Sequence, residues 1–151
     1  MGRYAMIKLN IVAVGKIKET FFTEAVNEYA KRIGRFASLK IIELSERRTI
    51  EEEGEEILAK ASGTVVATDV KGELVSSEDL ARLIKNEANY GKSEITFVIG
   101  SSEGLSDKVK KSADKRISFG KVTFPHQLMR VILSEQLYRA MTILNNVTYH
   151  K

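Results

Sequence analysis

Apolar positions along the chain follow two periods, and the two alternate. Residues 6–14 (MIKLNIVAV) are rich in β-branched side chains and predict a strand that ends at Gly15. From about Thr20, residues Phe22, Ala25, Val26, Tyr29, Ala30 and Ile33 recur on one face at helical spacing. Lys31 and Arg32 suit the C-terminal end of that helix, and Gly34 stops it. Leu39, Ile41 and Leu44 mark a second strand over 38–44. Thr49 followed by Glu52 is a capping-box pattern, opening a helix over about 49–61. Its apolar stripe is thin (Ile50, Ile57, Leu58, Ala61) and interrupted by Gly54, so this helix reads as peripheral.

The second half repeats the alternation. Residues 64–70 (TVVATDV) form a nearly continuous apolar run, as expected of a strand buried on both faces. Ser76 or Ser77 caps a helix carrying Leu80, Leu83, Ile84 and Ala88, stopped by Gly91. Residues 95–100 (ITFVIG) predict another buried strand, followed by a loop over 101–105, a short helix from Ser106 to about Ala113, and a strand at 116–119. After Pro125 a helix runs to about Leu144 and is apolar almost all round, from Leu128, Met129, Val131, Ile132 and Leu133 to Leu137, Tyr138, Met141, Ile143 and Leu144. Such a helix needs burial on every face, which a second subunit can complete. Strands alternating with helices imply an α/β fold, a parallel sheet with helices on both faces. Residues 1–151 show no linker, repeat or low-complexity tract, so a single domain is expected.

Composition narrows the chemistry. Cysteine is absent and only two His occur, at 126 and 150, which excludes disulfides, thiolate nucleophiles and zinc ribbons and leaves no expected metal site. No apolar run approaches the roughly 18 residues of a membrane span, and the start lacks a secretory pattern, so a cytoplasmic protein with no membrane partner is expected. Lys and Arg number 24 against 20 acids, a net charge of +4. The distribution says more than the total. Seven acids face two Arg between 43 and 57, whereas from 121 to 151 there are four bases, both His and one acid, Glu135. An anionic partner is therefore expected at the C-terminal segment.

Neither G-x-G-x-x-G after the first strand nor G-x-x-x-x-G-K-[ST] is present, and H-E-x-x-H and G-x-S-x-G are missing too. Three Gly-containing loops follow predicted strands, at 68–72, 100–104 and 119–125. Ligands of open α/β sheets sit at the carboxyl ends of strands, so the loops are either ordinary turns or the walls of one site. His126 is a catalytic base or simply a helix-start residue. Arg130 and Arg139 lie about 180° apart on the apolar helix and need partners, whether an acid such as Glu135, a neighbouring subunit or a phosphate. Tyr149, His150 and Lys151 form a polar tail that reads as frayed, although its side chains suit stacking on a base and contact with phosphate.

Four segments carry a family resemblance: VAVGKIK at 12–18, VIGSSEGL at 98–105, SFGKVTFPHQLMRVILSEQLYRA at 118–140, and the terminal YHK. Together they resemble the RlmH family, small ribosomal RNA large-subunit methyltransferases of the SPOUT class, over essentially the whole chain. The resemblance implies a SPOUT-type fold with a C-terminal trefoil knot, a homodimer, S-adenosylmethionine as methyl donor, and ribosomal RNA of the large subunit or assembled ribosome as partner. The implied reaction is N3 methylation of a pseudouridine, position 1915 of 23S ribosomal RNA. The family's donor site falls on Thr68, Gly100, Phe119, Gly120, Lys121, Val122, Thr123 and Phe124. Two departures stand out. Thr68 replaces the family's usual Leu and makes that wall less apolar, and Ser101 replaces the second Gly of a pair. For the acceptor, His150, Arg130, Arg139 and Lys151 are the candidate base or cations, with Tyr149 or Tyr138 stacking on the flipped base. The tail is expected to order on RNA or across the dimer. Two other readings stay open: the same fold methylating a different RNA base, and a non-catalytic RNA- or ribosome-binding protein.

Overall fold

A computed structural model describes residues 7–89 and 93–151. Ten elements alternate through it: β1 (Lys8–Val14), α1 (Thr20–Ile33), β2 (Ser38–Leu44), α2 (Ile50–Lys60), β3 (Thr64–Leu74), α3 (Ser77–Asn89), β4 (Glu94–Ile99), α4 (Asp107–Ser112), β5 (Lys115–Ser118) and α5 (His126–Leu144). The strands make one sheet in the order β2-β1-β4-β3-β5, every pairing parallel. The α/β fold expected from the alternation is the fold observed.

Side-chain alternation along the strands sorts the core into two layers. Leu9, Ile11 and Ala13 of β1, with Phe97 and Ile99 of β4, point to the face covered by α1, α3 and α5. Val12, Val14 and Val98 point to the face covered by α2 and α4. Leu9, Ile11 and Phe97 are sealed from solvent, and each such side chain contributes about 1.5–3 kcal/mol. α5 packs against both α1 and α3 and so crosses the centre of its layer.

Three local expectations need correction. First, β3 continues to Leu74. Its ladder with β5 breaks between Thr68 and Glu73, so the segment 68–72 is an irregularity inside a strand, not a loop after one. Gly72 permits this, because a Cβ there would stand 2.7 Å from the Arg116 carbonyl carbon. Second, Phe119 lies just beyond β5. Third, α2 is not peripheral: Glu53, Gly54 and Ile57 are buried, and the helix packs on α4. Within the single chain, α5 is fully buried on one side. Leu133, Leu137, Ala140 and Met141 are sealed, while Leu128, Val131 and Ile132 remain half-buried in the single chain. Met6 and Gly91, read as strand start and helix stop, lie outside the described residues.

Candidate functional site

The break within β3 and the segments that follow β4 and β5 enclose a concave pocket of about 210 Å³. Thr68, Gly100, Phe119, Gly120, Val122, Thr123 and Phe124 all line it, joined by His126 and Met129 from the start of α5. Lys121 is exposed and does not line it. Seven of the eight residues expected at a donor site are thus brought together from three separate parts of the sequence.

The glycines shape the space. At Gly100 a Cβ would stand 2.5 Å from the Gly104 carbonyl oxygen, so the 100–104 turn closes only with Gly there. The turn is pinned by the Gly104 N–H donating to the Ser101 carbonyl at 2.9 Å. Gly104 (φ +88°) and Gly120 (φ +137°) hold backbone conformations that disfavour other residues, and a Cβ on either would enter open space. Buried Ser118 braces the third wall: its hydroxyl accepts from the Gly120 N–H at 3.1 Å and donates to the Gly120 carbonyl at 2.8 Å. Thr68 departs from expectation in a useful way. Its hydroxyl donates to the Val98 carbonyl at 2.8 Å, so that polar group is satisfied within the sheet instead of making the wall more polar.

Two ionic residues in the lining were not singled out by sequence. Asp69 accepts the Lys71 N–H at 3.1 Å, and its other oxygen faces Arg116 at 3.6 Å and Lys110 at 3.9 Å. Lys110 sits on α4, whose start is fixed by the Ser106 hydroxyl accepting from the Val109 N–H. Only that serine cap, legible as a helix start, hinted that 110 lies one turn from the pocket's second wall.

The candidate acceptor residues lie elsewhere. Arg130 is buried, 1% exposed, donating to Glu43 at 2.6 Å and to the Gly15 carbonyl at 2.8 Å. Burial pushes its pKa below the usual arginine value, and Glu43 opposes that shift. It clamps the segment after β1 to α5 and offers no open face to a substrate. Glu43 was not among the partners considered for it. Arg139 finds the anticipated one, donating to Glu135 at 2.6 Å.

Around Arg139 the tail is docked by the chain itself, which corrects the expectation of a frayed end ordered by RNA or a second subunit. The Tyr149 hydroxyl donates to Glu135 at 2.8 Å, and its ring lies 4.7 Å from the Arg139 guanidinium carbon and edge-on to Tyr138 at 4.6 Å. His150 bridges Arg139 (Nδ1, 3.1 Å) and Glu78 (Nε2, 3.0 Å). Arginine can only donate, so Nδ1 is the acceptor and the ring hydrogen sits on Nε2, facing Glu78. None of Arg130, Arg139, Tyr149 and His150 lines the pocket.

Comparison with known proteins identifies the architecture. A family model described as "Predicted SPOUT methyltransferase" matches residues 7–150. Ribosomal RNA large subunit methyltransferase H of Limosilactobacillus reuteri (strain DSM 20016) is 46% identical over 159 residues, spanning 96% of this chain and 100% of its own. The protein of the same name from Carboxydothermus hydrogenoformans is 45% identical with the same coverage. The chain belongs to the RlmH family of SPOUT methyltransferases. The resemblance read from the four sequence segments is therefore borne out.

Solved structures extend the RlmH fold beyond its close relatives. A probable methylase family protein from Haemophilus influenzae Rd KW20 matches at TM-score 0.57 and 12% identity, covering 98% of this chain and 71% of its own. A probable methyltransferase from Bordetella pertussis Tohama I matches at TM-score 0.55 and 10% identity, covering 91% and 95%. At such identities the likeness is one of fold. Among the described residues of this RlmH-family chain, no helix is long and apolar enough to cross a membrane.

Proposed function

We propose that the protein transfers the methyl group of S-adenosylmethionine to N3 of a pseudouridine, position 1915 of 23S ribosomal RNA, in the large subunit of the assembled ribosome. The reading makes the enzyme a cytoplasmic homodimer with a single domain and a trefoil-knotted C-terminal part. The pocket carries it, with Gly-shaped walls beyond the carboxyl ends of β4 and β5 and a third wall at the break within β3. The relatives' name, ribosomal RNA large subunit methyltransferase H, supplies the substrate class.

The pocket fits the donor by its chemistry. Leu105, Ile117 and Phe124 offer apolar wall for a purine, and the open side of Gly104 and Gly120 brings backbone groups within reach of a ribose. Lys110 and Asp69 supply one cation and one anion, the pair that an amino-acid end with both charges requires. When bound, the sulfonium supplies a methyl group already activated for in-line displacement. What remains for the protein is to position the acceptor and assist loss of the N3 proton.

Arg139, Tyr149 and His150 are assigned to the acceptor side, and Arg130 to holding α5 against β1. Because the docked tail and the pocket are separate within one chain, the tail reaches a pocket through a second copy or after release onto RNA. His150 takes a proton on Nδ1 only by giving up its contact with Arg139, so substrate must displace that contact before His150 serves as a base. Removing residues 149–151 tests the assignment. The truncated protein is expected to bind S-adenosylmethionine with unchanged affinity while losing methyl transfer to ribosomes. Unchanged turnover would remove the tail from the mechanism, and loss of donor binding would place it in the donor site.

A further inference from the structure

Glu53 presents a charge where the fold has no evident need of one. It lies on α2, 5% exposed, in the layer otherwise built from Ile57, Val109 and Leu105. Among the described residues it forms no ion pair within 4 Å, so its desolvation is offset by hydrogen bonds alone. Two neutral donors meet it. The Arg47 N–H donates to one carboxylate oxygen at 3.0 Å, and the Ser101 hydroxyl donates to the other at 2.9 Å. An apolar residue would fill the same space without the desolvation cost.

The second of those bonds reaches the pocket. Ser101, itself buried, follows Gly100 in the turn that forms the pocket's second wall. With its hydrogen committed to Glu53, the Ser101 oxygen turns a lone pair toward the Glu103 N–H, 3.4 Å away. The Ser101 carbonyl meanwhile accepts from Gly104. Side chain and main chain of one residue thus hold the turn at three points. Gly54, next to Glu53, lets α2 come close enough for this: a Cβ at 54 would stand 2.4 Å from the Ser106 hydroxyl oxygen. The carboxylate therefore reaches from the back layer of the sheet to the wall of the pocket.

We infer that Glu53 is a positioning residue for donor binding, acting through Ser101 to hold the 100–104 turn in its ligand-accepting shape. The Ser101 hydroxyl becomes part of the site's construction. The inference rests on the reading that S-adenosylmethionine binds in this pocket.

The test is calorimetric titration of the full-length protein with S-adenosylmethionine, for the wild type, Ser101→Ala, Glu53→Ala and the double variant. Each single change is expected to weaken donor binding about tenfold, the scale of one charge-assisted hydrogen bond. The double variant should be no weaker than the worse single one, because both remove the same contact. In ribosome methylation the loss should fall on the donor KM, with kcat within about twofold of wild type, a split that general destabilisation does not produce. Wild-type binding with both single variants within about twofold of it would overturn the inference, as would additive losses or a loss confined to kcat. If Glu53→Ala does not fold, Ser101→Ala decides alone. A wild type that does not bind S-adenosylmethionine would overturn the donor reading itself, and the inference with it.

Discussion

Arg130 shows what one residue's spacing reveals and what it conceals. A guanidinium among Met129, Val131 and Leu133 announces a need for partners, but nothing in the sequence points to Glu43, 87 positions away, or to the Gly15 carbonyl. Arg130→Ala is expected to destabilise the protein by about 2–3 kcal/mol. That is at or just below the lower end of the roughly 3–5 kcal/mol for breaking a fully buried pair, because Glu43 is 40% exposed and regains water. Urea unfolding measures it, and a change below about 0.5 kcal/mol would show that the clamp is not needed. Thr68 and Ser101 were equally opaque as departures from a family pattern. Only in the folded chain are their hydroxyls directed to Val98 and Glu53. Tyr149 makes a pH prediction. Burial, and then the Glu135 carboxylate, push its phenol well above the ordinary tyrosine value. A raised pKa means that the neutral form is the one the fold favours. Its stabilisation is thus complete below the unfolded value near 10 and lost as pH rises beyond it. Phenolate absorbance should show a late-titrating tyrosine that is absent in Tyr149→Phe. Loss of an early-titrating one instead would contradict the docked tail.

At the scale of elements, periodicity and caps carried most of the fold. Thr49 and Ser106 cap the helices their positions promised, each accepting the N–H three residues on. What periodicity could not show was which helices touch. Gly54 reads as a flaw in a weak helix, yet it is the point where α2 meets α4. Gly54→Ala sets two effects against each other. Alanine favours helix by about 1 kcal/mol, whereas the new Cβ overlaps Ser106 and forces its hydroxyl off the Val109 N–H. Overpacking costs about 1–3 kcal/mol and the lost cap about 1 kcal/mol more, so net destabilisation of about 1–3 kcal/mol is expected. A thermal midpoint equal to or above wild type would mean that α2 yields freely. The extent of β3 was missed for a related reason. Its turn residues 69–72 look like a loop, and only pairing with β5 keeps the strand going past them.

For the whole molecule, strand–helix alternation gave the parallel α/β class, but the order β2-β1-β4-β3-β5 depends on long-range pairing that no local pattern encodes. The pocket was legible as three Gly-bearing segments. That they meet follows from β3, β4 and β5 being neighbours, a fact of topology. The apolar α5 now has a physical partition, one side sealed in the chain and Leu128, Val131 and Ile132 half-covered, which is the surface the proposed dimer would use. Methyl transfer to ribosomal RNA can be read out on the RNA itself. Ribosomes lacking the modification are incubated with the protein and isotopically labelled S-adenosylmethionine, and the large-subunit RNA is digested and read by mass spectrometry. One labelled methyl is expected, on N3 of a single pseudouridine. A methyl on any other base, or none from a protein that binds the donor, would rule out the proposed reaction.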